Sequence, residues 1–400
     1  MKVRSVVREP GTQGSIPLFR LFGIQFTANW SWLLLLALLV YMAHGLFRGM
    51  LPGWSSAGVW ALAVAAALLS VVSLYGHELS HALVARTFGI PVRTISLFLL
   101  GGMAHITRES PSPRAEFLIA VAGPVASLGV GTVAAIVGVS LWGVAPPVAA
   151  LGLWLAATNI PLAIFNLVPA FPLDGGRVLR ALLWFAGDDL RWGSTVAARV
   201  GQVAAVGLLF SGVWILFDGS ANALSGLWLI MIAWFMYAGA ASSQYATMYQ
   251  ESLRRLTVAS VMDRDFGRVQ AGVTVQAFAE EHLLEKDLRL ATGLTSRLSA
   301  AEASKPTGPR GYAVYREDHL IGVLSLQQLG RIPVQRWAQT SIERAMLPIE
   351  TTPAMEPSAP ALGALHLILE EGVEQIAVMA EGRLLGLITR NELARASEKP

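Results

Sequence analysis

Residues 57–81 of this 400-residue chain read AGVWALAVAAALLSVVSLYGHELSH. The part from 57 to 75 contains no charged side chain. A helix needs an apolar stretch of about 20 residues to cross the hydrocarbon core of a bilayer. The sequence here therefore predicts a membrane-spanning helix. The polar residues 76–81 follow without a break, so we expect them at the membrane end of that helix.

Five further apolar stretches approach or exceed this length, which predicts a polytopic α-helical membrane protein with six spans. The predicted spans are residues 29–47, 57–75, 117–141, 148–168, 200–217 and 223–241. The first is not a cleaved signal peptide, because the 28 residues before it contain four Lys or Arg and no small-residue cleavage site follows it.

Charge density divides the chain into two predicted domains, residues 1–248 and 249–400. Residues 24–248 hold 16 charged side chains, whereas 249–400 hold 36, which is typical of a soluble domain. The net charge of +3 comes from basic residues around the membrane segments, so no nucleic-acid partner is expected. The chain has no cysteine. This excludes disulfides and thiolate metal sites, so any metal must be held by His, Asp or Glu.

Lys and Arg residues in the predicted loops indicate how the spans are oriented. Segments 1–28, 76–116 and 169–199 hold twelve of them, and the alternate loops hold one, Arg48. Loops rich in Lys and Arg stay cytoplasmic, so we expect a cytoplasmic N-terminus and a cytoplasmic C-terminal domain. Spans two and four then run in the same direction, and their C-terminal ends lie at one depth.

The end of span two carries the pattern H-E-x-x-H. On a helix, His77 and His81 project from one face, where two imidazole nitrogens can take adjacent corners of a zinc tetrahedron. Glu78 lies beside them, within reach of a water on the metal. Ionisable residues inside a membrane helix are costly and usually mark function. The alternative is a pair of polar helix residues without a metal.

Catalytic zinc usually has three protein ligands, and residues 166–177, after span four, supply a candidate for the third. They read NLVPAFPLDGGR, in which two prolines and two glycines interrupt the helix around Asp174. Non-helical backbone at membrane depth is tolerated only where it is buried in protein or lines a wet cavity. Asp174 is therefore the expected third ligand. The alternative is a loop carboxylate paired with Arg177 or Arg180.

These two motifs resemble those of the site-2 protease family of intramembrane zinc metalloproteases. Residues 77–81 match its H-E-x-x-H, and residues 166–175 match its N-x-x-P-x-x-x-L-D-G at every fixed position. The resemblance extends to the Gly-Gly at 101–102 and the Ala-Gly-Pro at 122–124. It implies an endopeptidase of the cell inner (plasma) membrane that cuts a transmembrane protein substrate in regulated intramembrane proteolysis.

The resemblance also implies the roles of individual residues. His77, His81 and Asp174 are expected to bind one Zn²⁺, with water as the fourth ligand and Glu78 as the general base. Asn166 is a second candidate catalytic residue, because its amide can donate to an oxyanion. Its alternative role is to hold the interrupted helix together.

The sequence also predicts where three other polar residues of the membrane part lie. Asn159 precedes Asn166 by seven residues and is expected on the same helical face. His105 is expected to be a solvated loop histidine, and His44 to lie near the outer end of span one.

Residues 92–106, VRTISLFLLGGMAHI, are rich in β-forming residues and too short to span a membrane. They predict a short membrane-dipping β-hairpin that turns at Gly101-Gly102. A transmembrane substrate is helical and must be unwound, and the free edge of this hairpin can hold it as an added strand. The alternative is a surface loop with one apolar strand.

The C-terminal domain contains two weakly similar units, at about 256–338 and 339–400. Each reads as a strand, a turn, a strand and then a helix capped by Ser325 or Thr389. The units resemble a tandem CBS pair, an α/β domain that commonly binds adenine nucleotides such as ATP or AMP.

This second resemblance implies Ser325, Thr389 and Glu392 as candidate nucleotide-binding residues. However, Gln328 and Glu392 occupy the positions where the CBS pattern has an Asp for the ribose hydroxyls, which counts against nucleotide binding. The alternative is a homodimerisation or substrate-docking module without a ligand. A polar insertion at 290–310 also makes the first repeat atypical.

Two functional hypotheses follow from these patterns. The first is a zinc endopeptidase in the membrane, and the second is a CBS-gated transporter or channel that uses His77, Glu78, His81 and Asp174 as an ion pathway. The sequence favours the first, because its polar groups cluster at one end of two spans and no inverted repeat is visible.

Overall fold

The computed structural model of the protein describes residues 15–98, 101–106, 109–217, 223–282 and 311–398. The chain divides into two compact units, and the boundary in the sequence falls between Met248 and Tyr249. This boundary lies within the last turns of a long helix.

The first unit is mainly helical. Within the described residues, six of its helices are long and apolar enough to cross a membrane, which confirms the predicted six spans. The helices are α1 (Trp32–Met50), α2 (Ser56–Thr87), α3 (Pro113–Leu141), α4 (Pro146–Asn166), α5 (Asp174–Gly187), α6 (Leu190–Phe217) and α7 (Ala223–Arg254). At 14 residues, α5 is the one that is too short to span.

Local signals fix where the two central helices begin. The Ser55 side chain accepts a hydrogen bond from the N–H of Gly58 at the start of α2, and Ser112 caps α3 in the same way. Such caps satisfy N–H groups that have no partner inside the helix. Helix α2 continues past the predicted span as far as Thr87, so the H-E-x-x-H pattern lies inside this helix and not at its end.

A four-stranded sheet packs against α2. Its strands are β1 (Ser15–Leu21), β2 (Ile24–Asn29), β3 (Val92–Phe98) and β4 (Gly101–Ile106), in the order β1-β2-β3-β4. Strands β2 and β3 are parallel, and the other neighbours are antiparallel. Tyr75 of α2 donates a hydrogen bond to the carbonyl of Thr27 at 3.1 Å, which fixes the sheet beside the histidines.

The hairpin expected at 92–106 is present as β3 and β4, but its turn is not at Gly101-Gly102. Phe98 pairs with Gly101 and Leu97 with Gly102, so both glycines belong to β4. Strands β1 and β2 were not expected from the sequence. Their place in the sheet depends on a pairing between residues far apart in the chain, such as Phe26 with Ile95.

The second unit consists of two halves with the same arrangement. In each half a strand lies parallel to the first strand of an antiparallel hairpin, and the hairpin has an irregularity after Val314 or Val378. The strands are β5 (Gly267–Gln270), β6 (Gly311–Arg316), β7 (His319–Ser325), β8 (Leu347–Pro348), β9 (Ala354–Met355), β10 (Gln375–Ala380) and β11 (Arg383–Thr389).

Short helices flank these strands. They are α8 (Val258–Val261), α9 (Val275–His282), α10 (Leu326–Leu329), α11 (Ile342–Ala345), α12 (Ala361–Glu371) and α13 (Arg390–Glu398), with a 3₁₀ helix at Val334–Gln339. Strands and helices alternate in this unit, as expected for an α/β domain. The insertion at 290–310 lies outside the described residues.

Candidate metal centre

Two imidazoles and one carboxylate converge in the first unit. The Nε2 atoms of His77 and His81 are 3.2 Å apart, and each lies 3.2 Å from Oδ2 of Asp174. Tetrahedral zinc with ligands at about 2.0–2.1 Å places ligand atoms about 3.3 Å from one another. The three donor atoms therefore have the spacing that a zinc ion requires.

The histidines and the aspartate come from different elements. His77 and His81 lie one turn apart on α2. Asp174 is the first residue of α5, after the non-helical segment 167–173 that follows α4. Asp174 is thus at a helix start and not in a surface loop. Among the described residues, Oδ2 of Asp174 lies against His77 and His81, whereas Arg177 and Arg180 pair with Glu116.

Helix α3 fixes the orientation of both imidazoles. His81 Nδ1 lies 2.6 Å from the carbonyl oxygen of Ile119, and His77 Nδ1 lies 2.9 Å from Oγ of Ser127. Because a carbonyl can only accept, Nδ1 of His81 carries the proton and Nε2 keeps its lone pair. Such outer contacts orient metal-binding histidines. The sequence did not reveal either contact, because only the folded bundle brings α3 to α2.

Gly123 leaves the space that an ion would fill. A Cβ atom at this position of α3 would lie 2.2 Å from Nε2 of His81 and 2.6 Å from Nε2 of His77. Any side chain here would therefore occupy the place between the two nitrogens. The geometry of the site therefore explains why the middle position of the Ala-Gly-Pro at 122–124 is a glycine.

A cavity of about 520 Å³ opens beside the three donor atoms. Glu78 and Asn166 line it together with His77, His81 and Asp174. Its remaining walls come mainly from apolar side chains of α1, α4 and α7, among them Leu35, Leu38, Leu162, Phe165, Trp228 and Phe235. Every candidate catalytic or metal-binding residue of the membrane part therefore faces one space.

Strand β4 closes one side of this cavity. A Cβ atom at Gly102 would lie 2.5 Å from Cγ of Glu78, so the strand approaches Glu78 as closely as a residue without a side chain allows. The edge of the sheet and the candidate base are thus in direct contact.

The other candidates of the membrane part are placed as follows. Asn159 also lines the cavity, and its side chain accepts a hydrogen bond from the hydroxyl of Ser73. The ring of His44 stacks on Trp60, with centroids 3.9 Å apart, and is not part of the metal group. The side chain of His105 lies outside the described residues.

The candidate nucleotide residues form two similar caps in the second unit. Gln328 Oε1 accepts from the N–H of Ser325 at 2.9 Å, and Ser325 Oγ accepts from the N–H of Gln328. Oε2 of Glu392 accepts from both the N–H and the hydroxyl of Thr389. The side chains at the two expected ribose positions therefore turn back to cap their own helices.

Comparison with known proteins agrees with this geometry. The sequence matches peptidase family M50 over residues 63–152 and 144–209, and the CBS domain over 350–399. It is 31% identical to "Putative zinc metalloprotease Rip3" of Mycobacterium tuberculosis, over 95% of this chain and 92% of that protein. It is 24% identical to "Zinc metalloprotease MJ0392" of Methanocaldococcus jannaschii, over 96% of both.

A solved structure is similar as well. The "Site-2 Protease from Methanocaldococcus jannaschii" is 29% identical, with a TM-score of 0.40, and the match covers 57% of this chain and 95% of that one.

Proposed function

This chain belongs to the M50 family of zinc metalloproteases, the site-2 protease family, and we propose that it hydrolyses a peptide bond in or near a transmembrane segment of a partner protein. The observation that carries the proposal is the triangle of donor atoms from His77, His81 and Asp174 beside a cavity between spanning helices. The family and the six spans make the protein an intramembrane protease, and membership of this family favours proteolysis over ion transport.

We assign the zinc ligands to His77, His81 and Asp174, whose donor atoms fit the ion. When bound, zinc polarises the scissile carbonyl and acidifies the attacking water. Glu78 accepts the proton of that water and passes it to the leaving amine. Asn166 lines the same cavity, and its amide donates a hydrogen bond to the developing oxyanion of the substrate.

The substrate must reach this site as an extended strand. In a transmembrane helix every peptide carbonyl is hydrogen-bonded within the helix, so it is shielded from attack. Strand β4 lies at the edge of its sheet, and its Gly102 approaches Glu78. A substrate strand added to this edge places its backbone next to the base.

The proposal extends to the orientation and regulation of the protein. The Lys and Arg residues of the loops support a cytoplasmic N-terminus and CBS domain in the cell inner membrane. We propose that the CBS domain binds an adenine nucleotide and thereby regulates cleavage. We also propose that two copies of the chain form a homodimer through this domain. Glu392 must release the hydroxyl of Thr389 before a ribose can bind to either group.

Glu78→Gln tests the proposed reaction. The amide cannot act as a base, but the three proposed ligands remain, so we expect the variant to keep one zinc per chain and to lose cleavage by at least about 100-fold. Zinc content and cleavage are measured on the same purified sample.

The same variant identifies the substrate. Membrane proteins that accumulate in cells with Glu78→Gln, compared with wild type by mass spectrometry, are the candidates, and each is then tested as a purified substrate. Near wild-type cleavage by Glu78→Gln is the result that contradicts the proposed base.

A further inference from the structure

One face of α3 contacts the helices that carry all three proposed zinc ligands. Ile119 and Ser127 of this face hold the imidazoles of α2. Glu116 lies three residues before Ile119, hence on the same face, and pairs with two arginines of α5, the helix that begins with Asp174. Both ligand-bearing helices are therefore held by a single strip of α3.

The contact between α3 and α5 is a buried cluster of charges. Glu116 is 1% exposed. Its carboxylate accepts from Nε of Arg177 at 3.0 Å and also from Arg180 and the hydroxyl of Ser110. Arg180 reaches Oγ1 of Thr247 at 3.5 Å as well. Donors from three residues thus hold the carboxylate in place.

Holding two helices together by such a cluster costs more free energy than apolar packing does. Buried ion pairs cost desolvation energy that apolar packing does not. Charge-assisted hydrogen bonds from an arginine fork are directional. They therefore fix the rotation and the rise of α5 against α3 more strictly than apolar contacts do.

We propose that Glu116, acting through Arg177 and Arg180, positions Asp174 opposite His77 and His81. Arg177 lies three residues after Asp174, within one turn of it, so a shift of α5 that breaks the Glu116 contact also moves the carboxylate. A metal site tolerates displacements of only about 0.5 Å. This inference rests on the zinc site proposed above.

Arg177→Met distinguishes the proposed positioning of Asp174 from a direct effect of the arginine charge on zinc binding. Removing a positive charge near a zinc site should tighten zinc binding if charge repulsion alone matters. Loss of positioning should weaken it. The variant leaves Glu116 paired with Arg180, so no buried charge loses its last partner.

The experiment measures zinc affinity and coordination geometry on the full chain in detergent. Wild type, Glu116→Gln, Arg177→Met and Asp174→Ala are compared by chelator competition for Zn²⁺ and by the absorption spectrum of the Co²⁺ form. We expect Glu116→Gln and Arg177→Met to weaken zinc binding by about 10- to 100-fold, as outer-shell substitutions do, and to shift the Co²⁺ bands.

Ser55→Ala is the matched control. It removes the cap of α2, the histidine-bearing helix, at the end away from the site. It should lower the melting temperature of the protein and leave the zinc affinity and the Co²⁺ spectrum unchanged. A purely structural role for Glu116 would make its variants behave like this control.

Each outcome has one meaning. If Glu116→Gln does not fold, Arg177→Met carries the test by itself. Unchanged or tighter zinc binding by folded Arg177→Met overturns the positioning role. If Asp174→Ala keeps wild-type zinc affinity, the ligand assignment of the proposed function fails instead.

Discussion

The Asp174 carboxylate lies 3.2 Å from the Nε2 atoms of two histidines, so its reach as well as its charge decides whether it can bind zinc. We expect Asp174→Ala to lose zinc and cleavage, by more than the roughly 100-fold that outer-shell substitutions cost. Asp174→Glu should lose less, because its longer side chain still carries a carboxylate. Zinc content after dialysis and the cleavage rate measure both variants.

Each Asp174 variant serves as a control for the other, because both substitutions are made at the same position, the first residue of α5. If both keep one zinc per chain and full activity, Asp174 is not the third ligand. His105 is then the next residue to substitute.

Gly123 provides a second prediction at the residue scale. A methyl group at this position would lie between the two imidazole nitrogens. We expect Gly123→Ala to lower zinc affinity and cleavage by at least about 100-fold, beyond the usual effect of an outer-shell change. Alanine favours helix over glycine, so the helix itself should remain stable.

Gly129→Ala is the control for this prediction. Gly129 lies on the same helix, and a Cβ atom there meets no other atom within 4 Å. Zinc affinity and thermal stability are measured for both variants. Equal zinc affinity of Gly123→Ala and Gly129→Ala would show that Gly123 does not border the metal position.

At the scale of elements, the edge of β4 decides how a substrate can be held. Successive peptide groups of an added strand face alternately toward and away from the sheet. We therefore expect two N-methyl groups on one set of alternate residues of a substrate to lower its cleavage rate at least tenfold. Each methyl group removes a backbone hydrogen bond worth about 1 kcal/mol.

The control substrate carries the same two methyl groups moved by one residue, with the groups in both substrates kept two or more residues from the scissile bond. The nitrogens that carry the methyl groups in the control face away from β4, so its cleavage rate should stay close to that of the unmodified substrate. Cleavage rates in bicelles compare the two. Equal rates would exclude strand addition at this edge.

At the scale of the whole molecule, regulation requires a ligand that binds two arrangements of the protein with different affinity. If an adenine nucleotide is that ligand, it should bind the full chain and change the cleavage rate. Thr389→Ala should weaken binding roughly tenfold or more, because a hydroxyl that donates a hydrogen bond in the proposed ribose-phosphate pocket is lost. Calorimetric titration with ATP and AMP measures binding.

Thr351→Ala is the matched control, since its hydroxyl bonds only to the Pro348 carbonyl among the described contacts and lies outside both caps. Absence of binding at millimolar nucleotide would exclude the nucleotide sensor. The caps formed by Gln328 and Glu392 give the physical reason for that outcome, because their side chains already bond to Ser325 and Thr389.

The sequence by itself determined the features of this protein that are local along the chain. Six apolar stretches became helices because a span depends only on length and composition. The i, i+4 spacing placed His77 and His81 on one face of α2 because a helix fixes that geometry. The motif around Asp174 indicated a break between helices, which the structure has at 167–173.

Tertiary structure alone decided which residues hold the site in place. Ile119, Gly123 and Ser127 carry no metal-binding motif, and their contacts with the histidines exist because α3 packs against α2. Strand β2 forms because it pairs with β3 across more than sixty residues of chain. A single sequence shows local periodicity but not such long-range partners. Glu116 is the clearest case, since its role depends on arginines of a helix that begins far along the chain.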